Sequence, residues 1–213
     1  MNTGIKHKID VLNWKRKAHY SFFRGFEQPF FGVNTEVNCT KAYQYCKSYK
    51  VPFFLYYLHK SLVAANKVRE FRYRIEGDEV VEYASISGSI TVLRLDETFD
   101  FAYFDFSPRF DQFRKSTAPA IEACKTTRGL RLEADHTGLI HFSILRGIRF
   151  TSMQHAQALK GNDSVPKIVF GQIEHRNGQT FLPLSVHAHH ALCDGLHVEK
   201  LVKNFQYEME LAY

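Results

Sequence analysis

Along residues 182–190 every second position is apolar until the last. Leu182, Leu184, Val186 and Ala188 lead to His190, with Pro183, Ser185, His187 and His189 in the alternate places. A period of two sends these sets to opposite faces of a strand, so His190 ends an apolar row. Similar patterning predicts strands over 5–11, 31–39, 89–95, 98–106 and 139–145. Hairpins are predicted at Glu76-Gly77-Asp78 within 71–83 and at Asn177-Gly178, which joins 167–175 to 180–190. In 98–106, Phe99, Phe101, Tyr103 and Asp105 share one face, and Ala102, Phe104 and Phe106 the other. Rings on both faces predict a strand that is buried on both, or one whose second face lines a cavity. In 139–145, His141 and Ser143 share a face with Leu139 and Leu145, where a buried hydroxyl needs a partner.

Between these runs the period changes. Asn13 reads as the cap of a helix to Arg24 carrying Trp14, Ala18 and Phe22 at four-residue spacing, and Thr40 as the cap of the next helix. Pro52 opens a buried helix from Phe53 to about Val68. A further helix is predicted over 111–126, with Pro119 as a kink or break. Asp194 sits where a cap belongs, ahead of Gly195 and a helix with Leu196, Leu201, Val202, Phe205 and Met209 on its apolar side. Strands and helices mix without regular βαβ alternation. That order predicts an α+β fold, a two-layer sandwich of a mixed β-sheet with helices, as one domain over 1–213.

Composition narrows the chemistry. Hydrophobic residues are 45% and charged residues 23% of the 213, ordinary for a globular chain, but aromatics reach 15%, which suits a strand-rich core or a ring-lined pocket. The net charge is +6, yet the 28 basic residues are scattered, without the basic arm or aromatic signature of a nucleic-acid binder. A positive surface that attracts a phosphorylated small molecule fits equally well. Cys39, Cys46, Cys124 and Cys193 form no CxxC pair, so neither a disulfide framework nor a structural zinc site is expected, and a reducing cytoplasm is the default. There is no signal-peptide pattern and no apolar run of membrane-spanning length.

Partial desolvation of His190 at the end of its apolar row favours a neutral imidazole, the state a general base needs near pH 7. Asp194 is free by spacing to cap the helix, bind a cation, or both. On spacing alone, a satisfied core histidine with a capping aspartate remains an equal reading. His187 and His189 face away from His190, so no metal site is expected.

The run His189-His190-Ala-Leu-Cys-Asp194-Gly195 matches the HHxxxDG box of the chloramphenicol acetyltransferase family, which the chain resembles over essentially its full length. Asn13-Trp14-Lys-Arg16 with His19, Thr98-Phe99, Asp111-Gln112-Phe113 and Leu182–Val186 add to the likeness. The resemblance implies a homotrimer with active sites between subunits, acetyl-CoA as co-substrate, no tightly bound cofactor, a small-molecule hydroxyl acceptor, and no nucleic-acid or membrane partner. It implies that His190 is the general base, that Arg16 and Asp194 form a buried ion pair, and that Ser143 donates to the tetrahedral oxyanion. Ser143, and not Ser152, lies 47 positions before His190, as the family's serine does.

Departures cluster around the acceptor. Phe22 and Phe99 match family aromatics, but Phe23 stands for a tyrosine and Phe101 for an alanine. Met153, His155 and Gln157 replace an apolar trio, and Val169 replaces a threonine that holds an active-site water. Arg146-Gly147 stands where the family has Pro-Trp, which alters a coenzyme contact. The resemblance therefore implies acetyl transfer more firmly than it implies chloramphenicol. A different hydroxyl acceptor and a non-catalytic ligand-binding trimer are the competing expectations. An acyltransferase core of a 2-oxo acid dehydrogenase complex or a condensation domain is disfavoured, because the chain shows no lipoyl or carrier segment.

Overall fold

The computed structural model describes residues 5–132, 137–156 and 163–211. Its main sheet runs β2-β10-β8-β7-β5-β6, with β9 added alongside β10. These strands are β2 (Phe30–Asn38), β5 (Ser87–Leu93), β6 (Phe99–Phe104), β7 (Leu139–Ile144), β8 (Lys167–Phe170), β9 (Glu174–Arg176) and β10 (Gln179–His189). β7 pairs parallel with both β5 and β8, and the other pairings are antiparallel, so the sheet is mixed as expected. A three-stranded sheet joins β1 (Lys6–Lys8), β4 (Glu79–Tyr83) and β3 (Tyr73–Glu76). The fully buried Arg74 of β3 ties it to β7 by donating to the backbone oxygens of Thr137 and Leu139.

The helices are α1 (Lys17–Phe23), α2 (Thr40–Ser48), α3 (Phe53–Asn66), α4 (Phe110–Cys124) and α5 (Gly195–Glu210). α3 is apolar on most sides and is buried along most of its length, and α4 runs through Pro119 without ending there. Phe104, Phe142 and Phe170 stack in a row across the sheet and meet Phe113 of α4, Tyr57 of α3 and Phe205 of α5. Gly88 opposes Phe104 in the ladder, and any side chain there would overlap the Phe104 ring, so the absence of a Cβ is what admits that ring to the core.

Two helix caps differ from expectation. Asp10, not Asn13, caps the first turn, a short 3-10 segment at Val11–Asn13, by accepting from the Leu12 N–H; α1 starts only at Lys17. Thr40 is the first residue of α2, and Asn38 takes both its N–H and its hydroxyl. Leu196 is 55% exposed, and the buried side of α5 is carried by Val198, Leu201, Phe205 and Met209.

Strand parity divides the sheet chemically. The face toward the helices carries Ile90, Phe142, Ile168, Phe170, Leu184 and Val186. The ladder aligns the opposite face as Ser89 with His141, Ser143 with Val169 and Ser185, and Lys167 with His187.

Candidate active site

β10 ends at His189, and the turn to α5 carries the next five residues. The His190 N–H continues the ladder by donating to the Pro29 oxygen at 2.8 Å. The half-buried imidazole lies flat on Phe23, with centroids 4.1 Å apart at 6°, and is flanked by Phe31 at 4.6 Å. Its Nδ1 is 3.1 Å from the Cys193 oxygen. A carbonyl only accepts, so Nδ1 carries the proton and Nε2 keeps the lone pair, the arrangement of a base. His189 is the more buried of the two histidines and is held in the sheet: burial pushes it down to about 4, and its Nδ1 accepts the Ala191 N–H.

Asp194 does both things that its position suggested. One carboxylate oxygen accepts from the Leu196 N–H at 3.2 Å, while the other accepts from Arg16 Nη1 at 2.6 Å. Arg16 Nη2 donates to the His190 oxygen at 3.3 Å, so the buried guanidinium grips the turn between β10 and α5 from a segment near the N-terminus. Partial burial opposes ionisation of Asp194, but the Arg16 hydrogen bond and the neighbouring His197 hold its carboxyl below the usual range.

His197, which sequence reasoning did not single out, completes the turn. Its Nδ1 accepts the Asp194 N–H at 3.0 Å and its Nε2 lies 3.3 Å from Glu70, whose carboxyl that contact brings down to about 2. The signal was a histidine three residues after a capping aspartate, the capping-box spacing. Cys193 lies inside the box yet is no nucleophile. It is buried, its thiol is pushed up to about 12, and its Sγ faces the Glu70 oxygen.

Ser143 lies on the other face of the sheet. It lines a cavity of about 560 Å³ together with Phe99, Phe101, Met153, His155 and Lys167. Its hydroxyl is 3.0 Å from Thr91 Oγ1, and beside that pair Ser89 Oγ is 2.6 Å from His141 Nδ1. Thr91 is a second residue missed by sequence reasoning; only the parallel pairing of β5 with β7 brings it to Ser143. The ring-bearing face of β6 lines this cavity, as one of its two expected readings had it.

Four predicted acceptor residues, Phe99, Phe101, Met153 and His155, are therefore gathered at the cavity. Phe23 instead packs on His190, and the exposed Phe22 packs against Phe23 and Phe26. Val169 is fully buried beside Ser143 in the ladder and does not line the cavity. Gln157 lies outside the described residues. Among the described residues no group of three His, Cys, Asp or Glu side chains could hold a metal ion, and no helix is long and apolar enough to cross a membrane.

His190 and Ser143 thus lie on opposite faces of the sheet. His190 shares the helix-side parity of Phe31 and Ala188, and Ser143 shares the opposite parity with Ser185. His190 does not line the Ser143 cavity.

The family model described as chloramphenicol acetyltransferase matches residues 5–206. The chain belongs to the chloramphenicol acetyltransferase family. It is 26% identical to chloramphenicol acetyltransferase 3 of Escherichia coli, with 93% of this chain and 94% of that protein covered. A solved chloramphenicol acetyltransferase superposes with a TM-score of 0.85 at 30% identity, covering 96% of this chain and all of that one. A probable dihydrolipoamide acetyltransferase from Listeria monocytogenes shares the fold, at a TM-score of 0.65 and 13% identity. As a member of the chloramphenicol acetyltransferase family, this protein is an acetyl-CoA-dependent O-acyltransferase with acetyl-CoA as co-substrate.

The buried histidines give the fold an acid limit. His59 and His189 titrate near 4 because burial disfavours their cations, against 6.5 for an unperturbed imidazole. Between those values the unfolded chain binds more protons than the folded one, so stability falls as pH falls. Thermal midpoints measured from pH 7 to 4 are expected to decline steadily below about pH 6.5, and a flat profile across that window would contradict this assignment.

Proposed function

We propose that this enzyme acetylates chloramphenicol-like alcohols in the cytoplasm, as a homotrimer whose active sites each combine His190 of one copy with the Ser143 cavity of the next. The observation that carries this reading is the fixed tautomer of His190. Its Nε2 lone pair is available, while the oxyanion donor lies on the opposite face of the same sheet.

In the proposed reaction, His190 Nε2 takes the proton of the acceptor hydroxyl as its oxygen attacks the thioester carbonyl. The new C–O bond leaves an oxyanion. The Ser143 hydroxyl donates to it, and Thr91 Oγ1–H donates to Ser143 in turn, which keeps the serine proton aimed at the substrate. Collapse breaks the C–S bond, and the departing sulfur recovers the proton from Nε2. The products are the acetyl ester and CoA. Arg16, Asp194 and His197 hold the turn that presents the imidazole.

Release of CoA thiol with chloramphenicol and acetyl-CoA tests the activity directly, and no release above a buffer blank would sink the acceptor assignment. Ser143→Ala is expected to lower kcat by about 100-fold or more, with little change in KM for acetyl-CoA. Co-expression of Ser143→Ala with His190→Ala chains tests the shared site. Random mixing restores about a quarter of the interfaces, and hence of the activity, if the two residues act in trans; no recovery in a mixed trimer would refute sharing.

A further inference from the structure

One wall of the Ser143 cavity belongs to no helix or strand. Residues 151–156 lie outside every element, and Met153, His155 and Ala156 line the cavity from there. Among the described residues no backbone group of this stretch bonds to another backbone group. Its exposure alternates: Met153 and His155 are half-buried, while Ser152, Gln154 and Ala156 are exposed. Two residues are turned inward, and with no ladder to fix them their place over the sheet is set by the side chains they meet.

His187 of β10 meets both of them. Its ring stands edge-on to His155, with centroids 4.8 Å apart at 90°. Burial and the nearby Lys167 hold its basicity down, against a hydrogen bond to the Met153 backbone that favours the protonated ring. On its other side Nε2 lies 3.1 Å from Oγ of the fully buried Ser185. The imidazole therefore bridges a hydroxyl of its own strand and the backbone of the wall. Gly32 opposes His187 in the ladder, and a Cβ there would come within 2.9 Å of the ring, so glycine is what lets the imidazole lie close over β2. His187 is buried and does not itself line the cavity.

We propose that His187 is a positioning residue for the acceptor: it pins the Met153–His155 stretch against β10 and so fixes the wall on which the acceptor packs. This rests on the reading of the Ser143 cavity as the acceptor pocket. His187 touches no reacting atom and acts through Met153 and His155. Its loss is therefore felt in acceptor binding, while the base on the other face of the sheet keeps its geometry. A contact that holds bound acceptor and transition state alike changes KM and leaves kcat in place.

Two measurements on the full protein test this. Thermolysin cleavage under native conditions, with the first cut mapped by mass spectrometry, reads how firmly residues 150–156 are held and needs no substrate. Steady-state kinetics with chloramphenicol and acetyl-CoA read the consequence. His187→Leu is expected to speed cleavage within 150–156 by about tenfold and to raise KM for chloramphenicol by about as much, the scale of one lost hydrogen bond. Its kcat and its KM for acetyl-CoA are expected to stay within about twofold of wild type. His187→Gln, which keeps both a donor and an acceptor, is expected to restore most of both effects. Ser185→Ala leaves the ring but frees one side of it; an effect of about threefold in the same direction is expected, and it decides the matter if His187→Leu does not fold. Unchanged cleavage, faster cleavage with an unaltered KM for chloramphenicol, or a fall in kcat without a rise in that KM overturns the proposal. Absence of chloramphenicol turnover in the wild type overturns the acceptor assigned above, and the cleavage comparison then decides this proposal alone.

Discussion

Replacing His190 by alanine is expected to lower acetyl transfer by about 100- to 10,000-fold, the usual worth of a general base, with binding of acetyl-CoA retained. The reasoning is geometric. The imidazole is oriented by the Cys193 oxygen and by the faces of Phe23 and Phe31, so its only free nitrogen is Nε2. The variant loses the Nδ1 bond to the Cys193 oxygen and the ring stacking on Phe23, but it keeps the Arg16 contacts to Asp194 and to the residue's own carbonyl. Thermal unfolding of His190→Ala should therefore show a cooperative transition with a modestly lowered midpoint. A variant with turnover within tenfold of wild type would remove His190 from the reaction.

Asp194→Ala carries the largest expected effect on stability, about 3–5 kcal/mol. Removing the carboxylate leaves the Arg16 guanidinium buried without its ionic partner and opens the first turn of α5 at the same time. Asp194→Asn separates the two consequences, because its side-chain oxygen still caps Leu196 while the charge is gone. Urea unfolding at one fixed protein concentration measures both, which keeps any effect of assembly constant. A loss below about 1 kcal/mol for the alanine variant would show that the pair is dispensable. Its partial exposure, with a third of the Asp194 side chain open to solvent, puts the expectation at the lower end of the range.

The alternation of residues made much of this fold legible. β2, the β3–β4 hairpin, the positive-φ turn at Asn177-Gly178 and both faces of β6 follow from period and turn chemistry that act over a few residues. The caps were harder for the same reason of scale. Asn13 and Thr40 are the residue types that cap, but Asp10 and Asn38 lie upstream with carboxylate and amide oxygens already turned toward the exposed N–H groups. Which of two neighbouring polar residues caps is decided by backbone angles that the sequence pattern does not contain.

Non-local pairing hid the rest. Thr91 is separated from Ser143 in sequence by β6 and α4, and the parallel β5–β7 ladder makes them neighbours. Glu70 and His197 likewise meet from distant parts of the chain. Arg16 and Asp194 are as far apart in sequence, yet their pairing was anticipated because both belong to motifs of a family the chain resembles. Local physics alone left Asp194 free to cap the helix, bind a cation, or both.

The division of the main sheet into an apolar face and a polar one has an evolutionary consequence. Phe101, Ser143 and Lys167 line the cavity, whereas Phe104, Phe142 and Phe170, on the other parity, hold the helices. Natural variation can therefore rewrite the first set while the second stays fixed. Single substitutions on the cavity face are expected to alter what the pocket holds while leaving the thermal midpoint nearly unchanged, so that selectivity and folding can be tuned apart.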